Sequence, residues 1–268
     1  MRAGYMPAVG VAEFRDDMPE PQIEKADDVK IRVRNCGICG SEVHAIHGLH
    51  PFRIPPLVSG HEVAGEVVEV GAGVTKFAVG DRVTVEPHYG CGHCWYCDHG
   101  LYNVCPDKKV LGAGPWSGGL GEYIVTPEQT VVKLPDSLTY EEGALIEPVA
   151  NGMYAVRNSK IDEETNIVVI GCGPIGIGDF LCARLYDPRS ILMVDVADFN
   201  LQKAREMGAE LTCNSRSENL YERVMELTGG VGADLVFLAY GDAPTLQQAA
   251  EICRRGGQLV QHALMEDG

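Results

Sequence analysis

The sequence predicts an α/β protein in two parts: a β-rich domain over residues 1–155 and a doubly wound parallel-sheet domain over residues 156–268. Three observations carry this expectation. Up to about residue 140, Gly and Pro interrupt the chain every few residues between short Val-rich runs, the pattern of many short strands and turns. Past residue 160, apolar strands alternate with stretches of helical length, which argues for βαβ units and a parallel sheet. The 268 residues, 45% hydrophobic and 22% charged, also suit two globular domains of roughly 100–200 residues each.

Taken in order, Arg2 and the ten uncharged residues after it have the outline of a signal peptide, but Gly4, Pro7 and Gly10 break the run and no cleavage site follows. Val29–Val33, Val63–Val70, Arg82–Val85 and Glu122–Val125 read as strands of the first domain. The helix-like stretch Glu141–Arg157 and the polar turn Asn158–Glu164 mark the junction. Ile167–Ile170, Ile191–Asp195, Leu235–Tyr240 and Gln258–Leu264 are strands of the second domain. The twelve uncharged residues Ile167–Gly178 fall well short of the ~20 needed to span a bilayer and read as a strand running into a helix. Thirty-eight acidic against 22 basic residues leave a charge of −16, which repels a phosphate backbone or an anionic bilayer and excludes nucleic acid and membrane as partners. The expected compartment is the cytoplasm, where ten cysteines point to metal rather than to disulfides.

Ile167–Ile170 runs directly into GCGPIG, so Gly171, Gly173 and Gly176 fall as G-x-G-x-x-G between a strand and a helix, with Pro174 and Ile175 inside the turn. Such glycines allow the turn, let backbone approach a pyrophosphate, and let helix pack on strand. The second strand ends at Asp195, nineteen residues after Gly176, where a carboxylate accepts from the ribose hydroxyls. Against a 2′-phosphate it is a like charge, and Val196, Ala197 and Asp198 supply no arginine, so NAD is expected over NADP.

Cys91, Cys94, Cys97 and Cys105 have the spacing C-x2-C-x2-C-x7-C, with which four thiolates close a structural tetrahedral zinc site; an iron–sulfur cluster or free buried cysteines are the alternatives. His93 and His99 are expected as exposed loop residues between them. A second, scattered set comprises Cys39 in GICGSEVH, His61 and Glu62 in SGHE, and Glu147 in IEP. Mixed sulfur, nitrogen and oxygen donors suit a catalytic zinc with an open position. Each residue has a plainer reading: a core histidine, helix or loop carboxylates, or a redox Cys36-x-x-Cys39.

Together these segments, with VAGEVVEVGAGVTKFAVGDRV at 63–83 and EEGALIEPVANGMYAV at 141–156, resemble the zinc-dependent medium-chain alcohol dehydrogenases, in the branch of the polyol (sorbitol), butanediol and threonine dehydrogenases. The resemblance implies a GroES-like catalytic domain and a Rossmann nucleotide-binding domain. It implies that Cys39, His61 and Glu147 hold the catalytic zinc, Glu147 directly or through water, that Glu62 approaches the metal when ligands exchange, and that Ser41 and His44 form a proton relay. Two zinc ions per chain and NAD are the implied cofactors, and a small alcohol or polyol is the implied substrate. Threonine 3-dehydrogenation, or a zinc- and NAD-binding chain without turnover, is the alternative. His47, His50, Phe52, Tyr89 and Trp116 lie in loops near these motifs. Relatives of this kind continue beyond the Gln258–Leu264 strand, so the nucleotide domain is expected to be truncated and the full-length form to be a dimer or tetramer.

Overall fold

The structure, a computed structural model, describes residues 1–262. Its contacts divide the chain into two compact units, Met1–Glu147 and Pro148–Gly268.

The first unit opens with a hairpin, β1 (Ala3–Ala8) and β2 (Val11–Arg15), turning at Gly10 with φ +80°. It continues with β3 (Asp28–Gly37), helix α1 (Gly40–Ile46), β4 (Glu62–Val70) and β5 (Arg82–Val85). A small pair, β6 (His88–Tyr89) and β7 (Lys109–Val110), flanks a lobe carrying α2 (Trp95–Asp98). Strands β8 (Tyr123–Pro127) and β9 (Val131–Lys133) and helix α3 (Tyr140–Ala144) complete the unit. Strands β3, β4, β5, β8 and β9 form an antiparallel sheet in the order β8-β3-β4-β5-β9. One face of it is apolar: Val29, Ile31, Val63, Val67, Val83, Val85 and Ile124 form a buried cluster with Leu111. Alternation of side chains along each strand puts these residues on one side. The register is decisive for function. Gly37 at the end of β3 pairs with Glu62 at the start of β4, so residues just past β3 and just before β4 emerge at the same sheet end.

Helix α4 (Ile146–Arg157) packs in the second unit through Gly152, where a Cβ would stand 2.5 Å from the Gly178 backbone. The helical stretch expected over Glu141–Arg157 is therefore two helices, α3 and α4. The second unit follows as β10 (Asn166–Ile170), α5 (Pro174–Ala183), β11 (Ser190–Asp195), α6 (Asp198–Glu206), β12 (Leu211–Asn214), α7 (Leu220–Leu227), β13 (Ala233–Leu238), α8 (Ala243–Ile252) and β14 (Cys253–Gln261). Its five strands are all parallel in the order β12-β11-β10-β13-β14. This is a doubly wound sheet with a topological switch between β10 and β13, the place where such sheets bind ligands beyond their carboxyl ends. Two buried clusters line it, one around Phe237, Ile167 and Met193 and one around Leu192, Val236 and Leu238. Strand β14 begins five residues before the expected Gln258, and the end of that expected strand, residues 263–264, lies outside the described residues. Among the described residues no helix is long and apolar enough to cross a membrane.

Candidate active site

The Gly37–Glu62 register fixes the neighbourhood of the first site. Cys39 follows β3 at the entry of α1, and His61 stands one residue before β4. Glu62 folds back over Gly37: a Cβ at residue 37 would fall 1.8 Å from Glu62 Oε2. Gly60, with φ +99°, makes the turn that presents His61, and a Cβ there would meet the Leu120 backbone and Cys36 Sγ. Potential metal-binding atoms gather in two overlapping groups that share His61, Cys39–Glu42–His61 and His61–Glu62–Glu147, each with its atoms within 4.8 Å of one another. Cys39, Glu62 and Glu147 thus all come near His61, although no single group unites Cys39, His61 and Glu147.

Glu42 was not expected. It sits on α1 and is buried, accepting Cys39 N–H at Oε2 (2.8 Å) and the Ser59 hydroxyl (2.9 Å) and Gly60 N–H (3.3 Å) at Oε1. The same Oε1 lies 2.9 Å from His61 Nδ1. A carboxylate only accepts, so Nδ1 carries a proton towards Glu42, and Nε2 is the nitrogen that a metal would take in place of a proton. Burial alone would raise the Glu42 carboxyl, but the His61 hydrogen bond and charge, with Arg53 and Ser59, outweigh it and hold it well below the usual carboxylate range. For His61 burial pulls down, and the bonds to Cys39 and Glu42 win, raising it. Burial first, then the nearby Glu147 and Glu42, raise the Glu62 carboxyl against the pull of His61 and Cys39. Cys36, three residues before Cys39, is a half-buried thiol pushed by desolvation up to about 12, unsuited to a reactive thiolate. The Ser41 hydroxyl is buried without a hydrogen-bond partner among the described residues. His44 lies one turn further along α1. Of the loop residues named from sequence, His50 is buried and receives the Arg53 N–H (3.1 Å), while Trp116 donates to Val125 O and packs edge-on to Tyr89.

A thiolate, an imidazole nitrogen and carboxylate oxygens are the donors zinc takes at catalytic centres, so this cluster fits the metal.

The four cysteines of the lobe also converge. Cys94 Sγ lies 3.6 Å from both Cys97 and Cys105, and Cys91 Sγ lies 4.0 Å from Cys97 Sγ. Four sulfurs about 2.3 Å from one zinc stand about 3.8 Å apart, whereas a disulfide would bring two to about 2.05 Å. The spacing fits zinc. Cys91 N–H donates to Cys105 Sγ (3.4 Å), and that bond, first among several, lowers the Cys105 thiol to about 7. Gly90 makes room for the cluster, since a Cβ there would stand 2.4 Å from Cys97 Sγ. His93 and His99 are exposed, His99 stacking on Trp95.

In the second unit the three glycines do different jobs. Gly171 has φ +99°, and its turn crosses to Tyr240, two residues past β13, where a Cβ would stand 3.0 Å from Tyr240 N. At Gly176 a Cβ would fall 1.8 Å from Gly171 O, so only glycine lets α5 press against the turn. At Gly173, which precedes Pro174 at the start of α5, a Cβ would meet nothing within 4 Å. Open space over the helix N-terminus is what an approaching pyrophosphate requires. Asp195 ends β11 and is fixed at both oxygens, Oδ2 by Cys172 N–H (2.8 Å) and Asn200 (3.1 Å), Oδ1 by Ala197 N–H (2.8 Å). Oδ1, with one donor on it, keeps a lone pair to spare for a ribose hydroxyl.

Comparison with known proteins agrees with this geometry. Residues 25–136 match the alcohol dehydrogenase GroES-like domain and residues 174–268 the zinc-binding dehydrogenase domain. The chain is 40% identical over 248 residues to an uncharacterized zinc-type alcohol dehydrogenase-like protein of Escherichia coli (strain K12), across 90% of this chain and 71% of that one. It is 37% identical to a sorbitol dehydrogenase of Bacillus subtilis (strain 168), across 91% of this chain and 70% of the relative. The crystal structure of the 2R,3R-butanediol dehydrogenase of Bacillus subtilis superposes with a TM-score of 0.89 at 36% identity, over 100% of this chain and 78% of that one.

Proposed function

Since the chain belongs to the zinc-binding alcohol dehydrogenase family, we propose that it moves a hydride between the carbinol carbon of a secondary alcohol or polyol and NAD, in either direction. The observation that carries the reading is the convergence of the half-buried Cys39 and Glu147 and the buried Glu62 on the buried His61, with a Ser41 hydroxyl two residues past Cys39 that has no hydrogen-bond partner among the described residues. In this reading Cys39, His61 and Glu147 hold the catalytic zinc, and Cys91, Cys94, Cys97 and Cys105 hold a structural one. When bound, the zinc polarises the substrate hydroxyl so that it sheds its proton near neutral pH, and the nicotinamide takes the hydride. Ser41 accepts the hydroxyl proton and His44 passes it towards solvent. Glu62, kept close over Gly37, supplies a carboxylate when ligands exchange. The Gly171–Gly176 turn cradles the pyrophosphate, and Asp195 accepts from the ribose hydroxyls and opposes a 2′-phosphate. Ten cysteines without a disulfide suit a reducing cytoplasm.

The names of the relatives favour substrates with neighbouring hydroxyls. A panel of sorbitol, xylitol, 2,3-butanediol and threonine, followed by NADH absorbance, tests this: turnover of the polyols or the diol is expected, and turnover of threonine alone would replace the substrate class. Ser41→Ala is expected to abolish most turnover with zinc content unchanged, and retained turnover would remove Ser41 from the relay.

A further inference from the structure

We propose that Arg53 is a positioning residue that links the four-cysteine lobe to the His61 metal site, by way of Glu42. The inference rests on the zinc assignments above.

A buried guanidinium is costly unless its charge and its N–H groups are matched. Arg53 is 4% exposed and is held from three directions, although its Nε has no hydrogen-bond partner among the described residues. Its Nη1 donates to Leu111 O (2.9 Å) and Gly112 O (2.8 Å). The same nitrogen stands 3.6 Å from Glu42 Oε1, within ion-pair range. Its backbone N–H donates to the buried His50 Nδ1 (3.1 Å). The surroundings are shaped to admit it: Gly112 has φ +70°, and a Cβ there would lie 2.9 Å from Nη1.

The two carbonyls matter because of where their chain comes from. Cys91–Cys105 lie between β6 and β7, and Leu111 directly follows β7. Leu111 N–H donates to Pro87 O (2.7 Å) and Gly112 N–H to Trp116 O (2.9 Å), so the exit from the lobe is pinned on both sides. A continuous path therefore runs from the thiolate lobe through β7, the Leu111 and Gly112 carbonyls, Arg53 and Glu42 to the Nδ1 proton of His61. Zinc in the lobe holds the start of that path in place, and its loss loosens the far end. If Arg53 served only to fill space and satisfy two carbonyls, its replacement would lower the melting temperature without touching the metal affinity at His61.

The test is a double-mutant cycle read as zinc affinity, by competition with a chromophoric chelator, on wild type, Cys94→Ser, Arg53→Met and the double variant, with circular dichroism to confirm folding. Wild type and His61→Ala come first: if His61→Ala loses no zinc, the site assignment fails rather than this inference. Given a His61-dependent zinc, each single variant is expected to weaken it by about tenfold, and the double variant no more than the worse single one. Additive losses, or wild-type affinity in Arg53→Met, would overturn the link. Should Cys94→Ser not fold, Cys91→Ser takes its place in the cycle, with the same non-additivity expected and the same additivity fatal.

Discussion

Glu42 carries much of the first site's organisation on one side chain, because four donors converge on its two oxygens and one of them is the His61 imidazole of the candidate metal site. Glu42→Gln keeps the shape but replaces an acceptor oxygen with an NH2, which must face a donor and releases His61. Zinc affinity is expected to fall by about 10–100-fold, measured by chelator competition, and an unchanged affinity would mean that something else orients His61. The sequence made the residues that gather at His61 legible, since Cys39, His61, Glu62 and Glu147 each stand in a distinctive motif. Glu42 was not legible as their support: nineteen positions separate it from His61, and only the β3–β4 register brings the two together. A second residue-scale case is Asp179, fully buried on α5, with His262 Nε2 3.2 Å from Oδ1 yet no aligned hydrogen bond to either oxygen among the described residues. Burial raises its carboxyl above the unfolded value despite His262. Between the two values the folded chain keeps a proton that the unfolded chain has lost, so this group favours folding in acid and opposes it as pH rises through the raised value. Asp179→Asn is therefore expected to melt above wild type at pH 8 and to lose that advantage towards pH 4; a lower melting temperature at pH 8 would show the His262 pair to be net stabilising.

At the scale of elements, the β10–α5 turn separates two glycines that a motif treats alike. Gly176→Ala drives a methyl into Gly171 O, a backbone atom that cannot step aside, and is expected to cost about 1–3 kcal/mol of stability. Gly173→Ala meets open space at an ordinary φ of −73°, so it should fold with a melting temperature near wild type while losing tenfold or more in NADH affinity as the methyl occupies the pyrophosphate's path. Thermal melts and a NADH fluorescence titration on both variants check the pair; normal NADH binding by Gly173→Ala would move the pyrophosphate elsewhere. Strands with strong apolar runs were readable in advance, Arg82–Val85 to the residue, because continuous β-branched residues in a buried sheet leave little alternative. The hairpin β1–β2 was not, since Val9, Val11 and Phe14 are exposed and their pattern lacks a clean period of two. Strand β12 has four residues, too short to stand out beside the helices that flank it. The break between α3 and α4 was hidden because Leu145 and its neighbours are good helix formers; it falls where Pro148, without an N–H, leaves the Ala144 carbonyl no i+4 donor.

For the molecule as a whole, the chain's charge of −16 sets it against its own cofactor, because a dinucleotide is an anion approaching a strongly acidic protein. The favourable field at the α5 N-terminus is local, from a few backbone N–H groups, and acts within about the first turn. The net repulsion is long-range at low salt, where the Debye length is about 30 Å at 0.01 M, and falls away at 0.15 M, where it is about 8 Å. Salt should therefore remove the repulsion before it reaches the close contacts in the Gly171–Gly176 turn. The association rate of NADH, followed by stopped-flow fluorescence, is expected to rise between 0.01 and 0.15 M salt, and that of NADPH, with its extra phosphate, to rise more steeply from a lower value because Asp195 repels it at close range as well. A rate that falls with salt would mean that the turn's positive field governs the encounter over the acidity of the whole surface, and would place the cofactor's selection at long range rather than at the carboxylate that ends β11.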